Sequence, residues 1–138
     1  MKTPKFYKKD GNEDTARSKR YARIVSGLAR IKNTSVYCPT LKRPVIITKD
    51  SIEELAYHAS KSEKSTNAAI DVVHQIKIAK QPHFDIPKEG KQRRLFRFEM
   101  IITMQGQLNK SKTKITVGVR ASGNVIQYCL TVPDIKEK

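Results

Sequence analysis

The sequence predicts an α+β domain: N-terminal helices packed on a C-terminal antiparallel β-sheet, the sheet running as a meander. Two observations carry this. Apolar residues recur at three- and four-residue steps through the first eighty positions, whereas the last forty alternate apolar and polar residues between turn signals. The resulting order is helix, short strand, two helices and three consecutive strands. At 138 residues the chain is long enough for one domain with a real core and too short for two.

The opening dozen residues are polar, carry Pro4 and Gly11, and read as a mobile basic arm. From Glu13 to Ile31, Tyr21, Ile24, Val25, Leu28 and Ile31 fall on one stripe, which predicts an amphipathic helix with Arg17, Arg20, Arg23 and Arg30 around its polar side. Residues 1–33 are therefore set apart as a basic arm and amphipathic helix, and 34–138 as the α+β domain proper. VYCPTLKRP is turn-rich, and PVIIT is a short strand. Asp50 or Ser51 can cap a helix running to about Ser60, with Glu53 and Glu54 in its first turn, where carboxylates favour the helix dipole. Ser65 or Thr66 can cap another, from Asn67 to about Lys80. QPHFDIPKEGKQRR reads as a connector. A strand then places Phe96, Phe98, Met100, Ile102 and Met104 on one face, and GQLNKSK turns the chain into a final hairpin.

Charge bounds the partner. Against 13 Asp and Glu stand 28 Lys and Arg, a formal +15, well beyond what solubility needs, and this points to a polyanion: RNA, DNA or an anionic membrane surface. The excess is uneven. Residues 1–33 hold ten basic and three acidic residues, while 51–75 hold two basic and four acidic ones. No apolar run approaches the length of a membrane-spanning helix, and MKTPKFYKKDG lacks the pattern of a signal peptide, so the expectation is a soluble protein acting in the cytoplasm. Cys38 and Cys129 stand far apart, with no Cys or His spacing suited to zinc; no metal and no cofactor are expected.

The hairpin TKITVGVRASGNVIQYCLT carries the chemistry. Ile115, Val117 and Val119 form one apolar row, and Ile126, Tyr128, Leu130 and Val132 form another; a two-residue loop at Ser122-Gly123 or Gly123-Asn124 puts both on the core side. The other face then gathers Lys114, Thr116, Arg120, Gln127 and Thr131, with Gly118 leaving room for an approaching ligand. Such a face is also an ordinary solvated face of an antiparallel sheet. The basic run Lys91, Arg93, Arg94 and Arg97 at the neighbouring strand, together with the whole-chain charge, favours phosphate binding over that plain reading.

Helices followed by a meander ending in KITVGVRASGNVIQYCLT resemble the barnase/EndoU/colicin/RelE-like ribonuclease superfamily over residues 45–133, a superfamily that includes toxin domains of contact-dependent growth inhibition systems and phage-associated polymorphic toxins. The resemblance rests on element order and the final hairpin. It implies a metal-independent ribonuclease that cleaves by attack of a ribose 2′-hydroxyl on the adjacent phosphate, commonly in tRNA. It further implies delivery from a larger secreted toxin and an acidic immunity protein or antitoxin over the site. No fixed catalytic set carries over.

The chemistry asks for a base, an acid and cations on the phosphorane-like transition state. Arg120 is the first choice for the phosphate clamp because its planar fork binds two oxygens, with Lys114 and Thr116 assisting and Gln127 or Thr131 positioning a base or sugar. His58, near the end of its helix beside Ser60 and Lys61, is the leading acid/base candidate. His74 reads as a helix-flank residue, and His83 lies in the connector. The competing expectation is a noncatalytic RNA- or DNA-binding module, including a phage or mobile-element protein whose arm touches packaged nucleic acid.

Overall fold

Thr48 sets the register of the helix that later matters most. Its hydroxyl accepts from the Ser51 backbone N–H at 3.0 Å while the Ser51 hydroxyl accepts from the Thr48 N–H at 3.1 Å, so both orphan donors of the first turn are satisfied. The cap falls two residues before Asp50 and three before Ser51, the candidates read from the sequence. The structure, a computed structural model, describes residues 4–87 and 97–133. Along these run α1 (Thr15–Leu28), a 3-10 turn (Ala29–Ile31), β1 (Thr34–Cys38), β2 (Arg43–Ile47), α2 (Lys49–Ala59), α3 (Glu63–Ile70), α4 (Val72–Ile78), β3 (Lys80–Asp85), β4 (Met100–Leu108), β5 (Ser111–Val119) and β6 (Val125–Thr131).

The fold is α+β, with the helices on one face of a six-stranded sheet ordered β1-β2-β6-β5-β4-β3. β4, β5 and β6 form the antiparallel meander that the alternation predicts, but β2 joins β6 in parallel, so the sheet is mixed. That parallel pairing is brief. Only Val45–Val125 and Ile46–Ile126 face each other, and α2 packs against β6.

Three elements depart from the sequence reading for identifiable reasons. VYCPTLKRPVIIT closes into the β1–β2 hairpin, driven by burial of Val36, Cys38, Val45 and Ile47. The single helix expected from Asn67 is two, because Ser62 rather than Ser65 or Thr66 caps the first and the backbone leaves helical geometry at Asp71. Thr66 instead donates to the carbonyls of Ala59 and Ser62 from inside the core. Finally, QPHFD is no connector but an edge strand, a place where Pro82 is tolerated because an edge leaves some ladder positions unpaired.

The N-terminal region is part of the same body. Tyr21, Ile24 and Leu28 enter the main core with Leu55, Ala56, Ala69 and Leu130. Phe6 is buried against Tyr21 and Tyr57, with ring centroids 5.8 and 6.0 Å apart, and this anchors a stretch expected to be a free arm. The arginines of α1 are likewise spent inside the molecule. Arg17 donates to the Tyr57 carbonyl and the Ser60 hydroxyl, and Arg20 to the carbonyls of Ser60 and Lys61, closing the C-terminal end of α2 where a helix leaves acceptors unmet. Arg23 pairs with Glu63 at 2.6 Å.

Candidate active site on the open face of the sheet

Strand register decides which side chains share the helix-free face. Within the hairpin, Thr116 stands opposite Cys129 but Val117 stands opposite Gln127, so β6 carries one extra residue, Tyr128. The bulge changes the phase of the alternation. Gln127 therefore lies with Val117 on the core side, fully buried, its side-chain amide donating to the Cys129 carbonyl at 2.9 Å and to that of Thr116 at 3.4 Å. It is thus a brace for the bulge and not a member of the polar platform. Tyr128, read from its alternation as core, instead joins Phe98, Ile126, Ile46 and Ile101 on the open face.

Gly118 also differs from expectation. The space it leaves is taken by the chain itself, since the Phe98 ring lies directly on its α-carbon and a Cβ there would overlap that ring. Phe98 meets Tyr128 edge-on, with centroids 5.3 Å apart. A Gly118→Ala substitution is expected to cost about 1–3 kcal/mol by forcing the ring from its seat. A denaturation midpoint matching wild type would show that the ring is not fixed there.

Two polar rows cross the rest of the open face. His83, Thr103, Thr116 and Cys129 oppose one another across β3, β4, β5 and β6, and one step along the strands Lys80, Gln105, Lys114 and Thr131 do the same. Of the residues the sequence singles out, Lys114, Thr116 and Thr131 are therefore brought together. Arg120 is not: it lies just beyond β5, six residues from Lys114, or about 20 Å at the rise of a strand. Arg97 is exposed immediately before Phe98, and Lys91, Arg93 and Arg94 lie outside the described residues.

His58 reaches this face from the side. The imidazole stands 6.4 Å from the Tyr128 ring, centroid to centroid, and edge-on to Tyr57 at 5.3 Å. Its Nε2 lies 3.3 Å from Oε2 of Glu54, one helical turn earlier, and that carboxylate is almost fully buried while the imidazole is about one-third exposed. Burial makes the arrangement costly unless the carboxylate has partners, and the imidazole N–H is one. Lys114, Glu54 and Lys61 each act electrostatically on the Cys129 sulfur.

The sequence reading names His58 with Lys61 beside it, and the structure adds Glu54 and Tyr128 to its surroundings. The Glu54/His58 spacing of four residues, a same-face pair on any helix, was the readable signal for the first. His74 pairs with Asp71 at 3.1 Å on the solvent side of α4, and His83 with Asp85 at 3.2 Å on the outer strand; neither adjoins the cluster around His58.

Cys129 is a poor nucleophile. Burial pushes its thiol up to about 11, against the opposing pull of the Leu130 backbone and of Lys114. Because the folded value is raised, this residue's stabilising contribution is complete below about 9, the ordinary range of a free thiol, and is lost as pH rises through about 11. Cys129→Ala should flatten the fall in unfolding free energy between those values, and identical slopes for the two proteins would refute the assignment.

Among the described residues there is no group of three or more His, Cys, Asp and Glu arranged to hold a metal, and no helix long and apolar enough to cross a membrane. Comparison with protein-family models, with curated proteins and with solved structures finds no match.

Proposed function

We propose that this chain is a metal-independent endoribonuclease that acts on tRNA or another structured RNA by 2′-hydroxyl transesterification, with His58 as its acid/base group. The observation that carries the reading is the His58 imidazole, held by a buried glutamate at the rim of a basic, polar sheet face. With Nε2 turned to Glu54, Nδ1 is the nitrogen placed to take the 2′-hydroxyl proton. The 2′-oxygen then bonds to phosphorus as the bond to the 5′-oxygen breaks, and that oxygen takes a proton from His58 or solvent, leaving a 2′,3′-cyclic phosphate and a 5′-hydroxyl. Lys114 and Lys61 supply positive charge to the phosphorane, and Thr116 a hydroxyl donor. Arg120 would serve a neighbouring phosphate and not the one that reacts.

As a toxin-type nuclease the protein would act in a cytoplasm, delivered from a larger secreted toxin, and an acidic immunity protein or antitoxin would cover the basic face, complementary charge speeding its capture. One observation favours a second reading, a noncatalytic RNA- or DNA-binding module: the separation of Arg120 from Lys114 suits a docking track better than a single reacting phosphate.

Incubation with total cellular RNA in the presence of chelator, beside His58→Gln and Arg120→Ala proteins, separates the two. New tRNA fragments with cyclic phosphate ends, produced by wild type and absent with His58→Gln, support the nuclease. Intact RNA shifted on a gel and released by salt supports the binding module.

A further inference from the structure

A cavity of about 300 Å³ opens at the far end of the Lys80–Lys114 row, at the lower limit of pockets that take small ligands. Ile78, Lys80, Gln81, Gln105, Gln107 and Lys112 line it. Its origin is the register shift between Lys80 and His83, where Gln81 adopts a φ of 56° and the edge strand parts from β4. No carboxylate lines the cavity; two ammonium groups and three primary amides do.

We infer that this cavity is a nucleotide-recognition subsite that holds one unpaired nucleotide of the RNA a few residues from the bond that is cut, an inference that rests on the ribonuclease reading. Lys80 and Lys112 are exposed and set to meet phosphate. A glutamine amide offers a donor and an acceptor side by side, the pattern that matches the adenine edge at N6 and N7, so adenine is preferred over the other bases. The position fits a strand crossing the sheet. Lys80, Gln105, Lys114 and Thr131 lie in one line across four strands, about 14 Å from β3 to β6, and the cavity and the His58 cluster sit at opposite ends of it. In an A-form duplex that adenine edge faces a deep, narrow groove that side chains cannot read, so the substrate is single-stranded here, in a loop or at an end.

The test uses labelled, uncleavable 2′-O-methyl RNA hexamers, one all-uracil and one with a single adenine, bound at several salt concentrations by wild type, the Lys80→Ala/Lys112→Ala double variant and Gln105→Leu. Wild type should favour the adenine hexamer by about 5-fold or more. The lysine double variant should weaken both hexamers alike and lower the slope of log affinity against log salt by about 1.4, two contacts at ~0.7 each. Gln105→Leu should erase the adenine preference and keep the slope. Unchanged slope and preference in all variants, with RNA still bound and cut by wild type, overturn the subsite and leave the His58 assignment standing. A wild-type protein that neither binds nor cuts RNA overturns both.

Discussion

Replacing His58 with glutamine is expected to slow RNA cleavage by about 10²- to 10⁴-fold, the range that a positioned acid/base group supplies, while leaving the fold and RNA binding near those of wild type. Glutamine is the informative substitution because its amide can still donate to Glu54, so the buried carboxylate keeps a partner, whereas alanine would strand it. The loss should fall on the chemical step. Single-turnover cleavage of a short oligonucleotide in chelator, paired with binding of its uncleavable analogue, separates rate from affinity. A wild-type rate in His58→Gln would remove the imidazole from the chemistry and return the open face to a docking role. Glu54→Gln tests the support from the other side and should produce a smaller loss, because the imidazole remains but loses the carboxylate that orients it.

Removing residues 1–33 is expected to leave no folded protein. Phe6, Ile24 and Leu28 are buried, and each such side chain contributes about 1.5–3 kcal/mol, with Tyr21 adding to the same cluster. Their joint loss rivals the whole stability of a typical domain, about 5–15 kcal/mol. A single Ile24→Ala change, which empties a fully buried site, should cost about 2–5 kcal/mol. Chemical denaturation followed by circular dichroism reads both. A cooperative, wild-type-like transition in the truncated chain would restore the view of this region as a detachable arm. Truncation therefore cannot serve as a test of nucleic-acid binding by the N-terminal segment, since loss of binding would follow from loss of the fold.

The fold class, the meander and the amphipathic stripe of α1 were legible because each rests on a simple period. Tyr21, Ile24 and Leu28 sit where a helix demands, and Ile102, Met104, Ile115 and Val117 where a strand demands. What escaped depends on events that break a period or join distant residues. Tyr128 and Gln127 exchanged faces because a bulge adds one residue to β6, and nothing in VIQYCLT announces it. β3 was hidden by Pro82 and by its exposed composition, since an edge strand has no apolar alternation to show. The room at Gly118 was read correctly as room, but its occupant comes from a residue twenty positions away in sequence. His58 was singled out by its chemistry, not by pattern, and its approach to Tyr128 joins residues seventy positions apart, which no local period reports.

The two guanidinium groups that close α2 make one part of the molecule depend on another far away in sequence. Arg17 and Arg20 grip the carbonyls of residues 57, 60 and 61, and His58 lies in the turn they hold. The cluster around that imidazole draws on the middle of the chain and on its last strand, while its clamp comes from near the beginning. On the ribonuclease reading, a partly folded chain would therefore be catalytically silent until its first helix docks. During refolding, RNA cleavage should return only together with burial of α1, followed by the fluorescence or exchange protection of Tyr21; cleavage returning before that burial would refute the dependence.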